Sequence, residues 1–200
     1  MHNEKQGFGD HADVSFQANA ATKEDMGIHG HYHVVCHDKD GNLKWEETFP
    51  NLVVAVGKQL MLDTLLSGSS YTTVGPYLGL ISGSGNTYVA TDTMSSHAWS
   101  EFTNYTVGGS AVRGTASFSS ATSSGSTPAN VTTKTATAIT YTITGAGGTV
   151  GGCFLVTGSG ASSTQGNTSG TLYSAGDFST AKVTTAGDTV SVTYSTTATS

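Results

Sequence analysis

The last ninety residues constrain the fold most, because short apolar runs alternate there with clusters of Ser, Thr and Gly. Five runs have the length and pattern of β-strands, at 112–118, 136–144, 150–157, 172–178 and 189–194. The clusters between them, such as 119–126 and 158–170, have the composition of loops. Short strands at this spacing indicate an antiparallel β-sandwich or a jelly-roll-like body.

A β-hairpin is predicted over residues 28–49, because two strand-like halves flank a turn. The turn residues 38–42 read DKDGN, in which Gly41 can take a positive φ at no steric cost. In the first strand, three apolar residues face one way and four histidines the other: Tyr32, Val34 and Cys36 against His29, His31, His33 and His37. The run at 43–49 then returns as the second strand.

One helix is predicted, over about residues 52–66. Pro50 and Asn51 stop the preceding strand, and Asn51 is a favourable N-cap residue. Apolar residues recur at helical spacing on one face: Val53, Val56, Leu60, Met61 and Leu65. The sequence therefore predicts a mainly β body over residues 28–200 with one short helix.

Residues 1–27 form a separate segment. They are polar, lack helical or alternating periodicity, and carry few large apolar side chains besides Phe8, Phe16 and Met26. Such a segment cannot bury enough apolar surface to fold alone. We therefore expect an extended N-terminal arm that lies across a neighbouring subunit, with a disordered tail as the alternative.

Composition limits the classes of partner. The formal net charge is −6, and only Lys134 and Lys182 lie beyond Arg113, so the chain has no electrostatic basis for binding nucleic acid. No hydrophobic run is long enough to span a bilayer, and the first residues, MHNEKQGFGD, lack the apolar stretch of a signal peptide. We expect a soluble protein, made in the cytoplasm, that binds neither nucleic acid nor membrane.

Two patterns in the hairpin resemble metal sites. The four same-face histidines all come from one strand, whereas closed sites recruit ligands from several elements. The DKDGN turn begins like a calcium loop, yet the final bidentate acid of such a loop would fall near Phe49. We expect a polar strand face and a hairpin turn, with no bound metal.

The two cysteines, Cys36 and Cys153, lie in apolar surroundings. Free cysteine behaves as a small hydrophobe in such a setting, so we expect both to be buried in the core. A disulfide between them stays an open alternative, because sequence separation does not test its geometry.

The sequence predicts no catalytic site. It contains no G-x-S-x-G elbow, and the glycine-rich run 145–148 lacks the Lys and Ser/Thr of a phosphate loop. Beyond Asp63 the acids are few: Asp92, Glu101, Asp177 and Asp188. Asp92, His97 and Glu101 could form an acid–base cluster, but residue types this common fall together by chance. We therefore expect no cofactor and no enzymatic activity.

Two ordered groups of sequence blocks carry a resemblance to a known family. The first group reads HDKDGNLKWE at 37–46, PNLV at 50–53 and GK at 57–58. The second group comprises 92–94, 96–102, Tyr105, 151–155, 170–174, Phe178 and 186–194. From about residue 32 to the end, the chain resembles tailed-bacteriophage virion structural proteins that are often encoded near the major capsid gene. Ala98 departs from that family, in which a glycine usually precedes the tryptophan.

The resemblance implies a virion structural role and supplies no catalytic residues. The leading expectation is a capsid decoration (cement) protein that binds the major capsid protein on the outer head surface, clamps neighbouring capsomers with its arm and associates as a trimer. The alternative is a head-fibre, tail-fibre or tail-tip module that binds a host surface glycan through four surface aromatics, Tyr88, Trp99, Tyr105 and Tyr173. Both readings imply synthesis in the host cytoplasm and a place in the virion, which for the decoration protein is the capsid surface.

Overall fold

The computed structural model describes residues 27–66, 74–124 and 130–199. Within these residues the chain forms twelve β-strands and one helix. In chain order they are β1 (Gly27–His37), β2 (Leu43–Val53), α1 (Ala55–Leu66), β3 (Tyr77–Ser82), β4 (Ser100–Phe102), β5 (Tyr105–Thr106), β6 (Gly114–Thr115), β7 (Thr122–Ser124), β8 (Asn130–Lys134), β9 (Ile139–Ile143), β10 (Gly148–Thr157), β11 (Thr171–Thr184) and β12 (Thr189–Thr199). The predicted arm lies outside the described residues, except Gly27, which belongs to β1.

The strands form two antiparallel layers that share one strand. In the first layer β1 lies between β2 and β12, and β12 continues to β8 and β9, which pair with β7 and β5. In the second layer β10 lies between β3 and β11, and β3 also pairs with β4 and β6. The last residues of β2, Leu52 and Val53, pair with β11 and join the layers. The prediction of a mainly β, antiparallel fold is confirmed, and the arrangement is consistent with a β-sandwich-like body.

The main hydrophobic core lies between the two layers. The alternating residues predicted to share one face of β1, namely Tyr32, Val34 and Cys36, are all fully buried. Their neighbours in the core come from both layers, and include Val190, Val192 and Tyr194 of β12 and Val150, Cys153 and Leu155 of β10. Two tyrosines also bridge the layers: the Tyr32 hydroxyl lies 2.8 Å from Ser174 Oγ, and the Tyr141 hydroxyl donates to the Leu78 carbonyl at 2.7 Å.

The helix prediction was wrong at its start. Asn51, Leu52 and Val53 belong to β2, and α1 begins at Ala55. Asn51 is therefore not an N-cap residue; its Nδ2 donates to the Tyr194 hydroxyl at 3.1 Å. The strand also continues through Pro50, which pairs with His31 of β1. Proline is tolerated there because β2 gains its second partner strand only from Leu52 onward.

Helix α1 packs on β11 at close range. Its buried residues are Gly57 and Leu60. A Cβ added to Gly57 would lie 2.5 Å from the Tyr173 carbonyl oxygen, so only glycine allows this approach. Beyond Leu60 the helix lies largely outside the core, and Leu65 and Leu66 are 75% and 74% exposed. The predicted apolar face of α1 is therefore only partly covered.

Strand predictions in the C-terminal half agree with the structure to different extents. The runs at 136–144, 150–157, 172–178 and 189–194 contain or overlap β9, β10, β11 and β12. The run at 112–118 forms only the short strand β6, and the cluster at 119–126, read as a loop, contains β7.

Candidate functional site

The histidine face of β1 lies on the outer side of the first layer. His33 Nδ1 is 3.0 Å from Thr48 Oγ1, and its Nε2 is 3.6 Å from Glu46 Oε1. Across the ladder, His31 and His37 pair with Ser195 and Thr189 of β12. In the described part of the chain, no group of three or more His, Cys, Asp or Glu side chains is placed to hold a metal ion. The face is a polar surface of imidazole and hydroxyl groups.

In the DKDGN turn, the side-chain oxygens of Asp38 accept hydrogen bonds from other residues of the same turn. Asp38 Oδ1 accepts from the backbone N–H groups of Asp40 and Asn42, each at 2.9 Å, and Gly41 has φ 86°. Hydrogen bonds from the Asn42 side chain and backbone are the main reason why the pKa of Asp38 lies below its ordinary value. These contacts hold a hairpin turn together by an Asx-type arrangement.

The acidic residues singled out in the sequence are held by structural contacts. Asp92 accepts from the Val89 N–H at 3.0 Å, and Asp177 accepts from the side chains of Asn86 and Tyr88. Asp188 lies 2.5 Å from Lys44 Nζ and also accepts from the Thr185 N–H. Of the suggested acid–base cluster, His97 and Glu101 line one cleft, which is described below, and Asp92 does not line it.

The four aromatics predicted to form a glycan platform do not share a surface. Trp99 and Tyr105 are only 5% and 1% exposed, so they pack in the core and do not present the open aromatic surface that the glycan-binding alternative requires. Trp99 packs on Phe154, and Tyr105 packs on Tyr141, because both rings fill the hydrophobic interior. The hydroxyl of the half-buried Tyr88 is bound to Asp177, and Tyr173 is half-buried at a different cavity.

Both cysteines are free and fully buried. The prediction that they act as small core hydrophobes is confirmed. Burial raises the pKa of the Cys36 thiol to about 11, which keeps the reactive thiolate scarce at neutral pH. The alternative of a disulfide between them is wrong.

An apolar surface lies beside the second half of α1, and we call it the Met61 surface. Met61 borders three adjoining cavities of about 280, 290 and 310 Å³. Three leucines of α1 lie at or beside these cavities and are exposed: Leu62 is 44% exposed, Leu65 75% and Leu66 74%. The remaining apolar lining includes Ile28, Leu60, Pro76, Phe118, Leu155 and Tyr173.

Few charges interrupt the Met61 surface. Among the described residues that line its cavities, only His29 and Lys58 carry groups that can be charged near neutral pH. Gly27, at the start of β1, lines one cavity, whereas the 38–42 turn follows the other end of that strand. Because β1 has 11 residues, the two ends are separated by roughly 33 Å at about 3.3 Å per residue.

A second cavity, the Trp99 cleft, has a volume of about 260 Å³ and lies between residues 94–103 and 166–168. The His97 ring stacks on the Trp99 ring, with centroids 3.7 Å apart and an interplanar angle of 14°. Within the part of the chain that the structure describes, His97 Nδ1 and Trp99 Nε1 are both buried without a hydrogen-bond partner. Such a combination of a ring stack and unpaired polar atoms is unusual in a closed core.

The Trp99 cleft also includes a buried ion pair between Glu101 and Arg113. The guanidinium Nε and Nη2 donate to Glu101 Oε1 and Oε2 at 2.9 and 2.6 Å, and Arg113 is 1% exposed. The remaining donors bind the carbonyls of Ser162 and Asn167 at 3.0 and 2.6 Å. Glu101 Oε2 also accepts from the Gly166 N–H at 2.7 Å. The pair therefore fastens the 158–170 loop to β4.

Sequence reasoning missed the role of Arg113. One signal was available, because Arg113 is the single arginine of the chain and follows two apolar residues in a predicted strand. A lone cation in such a position predicts a buried partner.

No family model matches this sequence, and neither the curated proteins nor the solved structures searched contain a match. The part of the chain that the structure describes has no helix with the length and apolar character needed to cross a membrane.

Proposed function

We propose that this protein is a tailed-phage virion structural protein, specifically a capsid decoration or cement protein that binds the major capsid protein on the outer head surface. The observation that carries the proposal is the Met61 surface, which groups exposed leucines of α1 beside three adjoining apolar cavities. The sequence resemblance supports the virion role, and we retain self-association as a trimer within the proposal.

The energetic argument concerns the leucines of α1. Complete burial of a leucine side chain contributes about 1.5–3 kcal/mol, so Leu65 and Leu66, which are 75% and 74% exposed, leave several kcal/mol unused in the isolated chain. Contiguous apolar patches with polar rims mark interaction sites on protein surfaces. A shell protein that covers this surface would recover that free energy.

The rest of the body supports a structural role. Several charged side chains join distant parts of the chain: Asp188 pairs with Lys44, Glu47 pairs with Lys182, and Arg113 binds the Asn167 carbonyl. Such contacts make a rigid subunit, which loses little entropy when it attaches to a lattice. Each attached copy must dissociate before the shell opens, so attachment stabilises the shell by mass action.

The test compares two charge substitutions at opposite ends of the molecule. Leu65→Asp places a carboxylate on the Met61 surface, and Leu43→Asp does so at the far end of β1, where Leu43 is 57% exposed. Binding to purified empty heads is measured by co-sedimentation. We expect Leu65→Asp to weaken binding at least tenfold, because an apolar contact of about 1.4 kcal/mol or more is lost. Leu43→Asp should bind like the unmodified chain.

Equal binding by both variants would contradict the Met61 surface as the attachment site. The ratio of this protein to the major capsid protein in purified particles tests the function itself. A ratio comparable to that of the capsid protein supports decoration. A ratio of a few per cent would favour the fibre or tail-tip alternative, and absence from particles would refute a virion role.

A further inference from the structure

The Trp99 cleft has the features of a small-ligand site that the decoration role does not use. Its volume of about 260 Å³ is near the lower limit of small-molecule sites, which begin at about 300 Å³, so it admits one ring-sized group. It is lined on one side by the stacked rings of His97 and Trp99. Exposed hydroxyl side chains, those of Ser100, Thr103 and Thr168, line it as well.

The two ring nitrogens indicate that the closed arrangement is incomplete. Trp99 is 5% exposed, yet no described residue gives its Nε1 a hydrogen bond, and the same holds for the buried His97 Nδ1. A buried polar group without a partner destabilises a fold unless something else satisfies it. His97 is half-buried and stacks on Trp99, so a ligand that reaches this face of the Trp99 ring has to displace the imidazole.

The charges of the cleft restrict the chemistry of a ligand. Glu101 and Arg113 form a two-point ion pair, and their remaining hydrogen bonds go to the backbone of the 158–170 loop. Neither side chain therefore offers an uncompensated charge to a ligand. The cleft instead offers a flat aromatic surface, an indole donor and short hydroxyls, which complement a ring with one apolar face and a rim of hydroxyl groups.

We propose that the Trp99 cleft binds a single neutral sugar residue, which takes the place of the His97 imidazole on the Trp99 ring. A pyranose presents axial C–H groups to an aromatic face and hydroxyls around its edge. The sugar hydroxyls accept from Trp99 Nε1 and bind the hydroxyl of Thr168. This site is independent of the Met61 surface, so it can be present whether or not the protein attaches to a shell.

The test follows the fluorescence of Trp99 in the full chain. The chain has two tryptophans, so Trp45→Phe leaves Trp99 as the only indole. Methyl α-glucopyranoside, methyl β-galactopyranoside and N-acetylglucosamine serve as probes, and saturation-transfer NMR provides a second readout. For a ligand of about 13 heavy atoms at ordinary ligand efficiency, we expect saturable binding of at least one probe with a Kd of about 1 mM.

Two substitutions in this background should act in opposite directions. Thr168→Val should raise the Kd about 2- to 12-fold, the range for loss of one hydrogen bond, whereas the matched Thr142→Val on β9 should not change it. His97→Ala should lower the Kd about 2- to 12-fold, because the sugar no longer competes with a stacked ring. Circular dichroism verifies that each variant is folded.

Three outcomes would refute the proposal. One is the absence of any saturable signal from all three sugars by both methods, in the parent and in His97→Ala. Another is weaker binding in His97→Ala, which would make the imidazole a contact and not a place-holder. The third is tighter binding of glucuronic acid than of the neutral probes, which would contradict the neutral ligand class. If Leu65→Asp bound heads like the unmodified chain, the shell-attachment proposal would fail. The sugar-binding measurements would not change, because they do not involve the Met61 surface.

Discussion

Replacement of Glu101 by glutamine should strongly destabilise the protein, although the two side chains have nearly the same size and shape. The substitution keeps the size of the side chain and one acceptor oxygen, but it leaves the guanidinium of Arg113 buried without a counter-charge. Arg113 is 1% exposed and its two contacts with Glu101 measure 2.9 and 2.6 Å, so the guanidinium depends on this carboxylate for its counter-charge. Breaking a buried pair from one side costs about 3–5 kcal/mol.

A double-mutant cycle separates the ion pair from the packing around it. Arg113→Met removes the cation and leaves the carboxylate of Glu101 buried, so it should also cost about 3–5 kcal/mol. The double variant Glu101→Gln with Arg113→Met contains no buried charge and should be more stable than the sum of the single changes predicts, by at least 1 kcal/mol. The free energy of unfolding is measured by guanidinium denaturation.

An exposed ion pair supplies the control. Lys39 Nζ lies 2.8 Å from Asp40 Oδ1, a distance similar to those in the buried pair, but the two side chains are 70% and 64% exposed. Asp40→Asn should therefore change the free energy of unfolding by less than about 0.5 kcal/mol. A loss below 1 kcal/mol for Glu101→Gln, or strict additivity in the cycle, would refute the inference that this pair fastens the 158–170 loop.

Two further predictions concern other close contacts. Gly57→Ala should destabilise the chain by about 1–3 kcal/mol in thermal or chemical unfolding, because the Cβ of alanine would lie 2.5 Å from the Tyr173 carbonyl oxygen. This loss should outweigh the better helix propensity of alanine, and Gln59→Ala, at an exposed position of the same helix, should show no such loss. An unchanged stability of Gly57→Ala would contradict the close packing. Burial alone would raise the pKa of Asp188, but hydrogen bonds from Lys44 and Thr185 outweigh it and hold that pKa below its ordinary value. The stabilisation by Asp188 should therefore be complete above about pH 4 and decline as the pH falls through its folded-state pKa. The loss in Asp188→Asn, about 1–3 kcal/mol at pH 7, should shrink in acid, and a constant difference down to pH 2 would contradict this assignment.

The sequence predicted the parts of the fold that depend on local periodicity. Tyr32, Val34 and Cys36 alternate with histidines, and a pleated strand separates two such sets onto opposite faces whatever lies beyond it. Errors occurred where tertiary contacts override local preference. Leu52 and Val53 suit a helix as well as a strand, and only their pairing with β11 decides between the two.

The candidate sites were less predictable, because their residues are distant in the chain. Glu101 and Arg113 are 12 residues apart, and the backbone groups that complete their contacts lie about 50 residues further on. The Met61 surface was also hidden in the sequence, since apolar residues occur all round α1 and nothing local decides which of them the core covers. The close contact of Gly57 with Tyr173 has no sequence signature either.

The pairing of β1 with β12 determines where foreign sequences could be attached. Gly27 and Thr199 are partners in that ladder, so both ends of the described body emerge beside the Met61 surface. Cargo joined directly to Gly27 or Thr199 would crowd the proposed shell contact. The exposed 38–42 turn, roughly 33 Å away along β1, faces the opposite direction and is the better insertion point for an epitope displayed on a phage head.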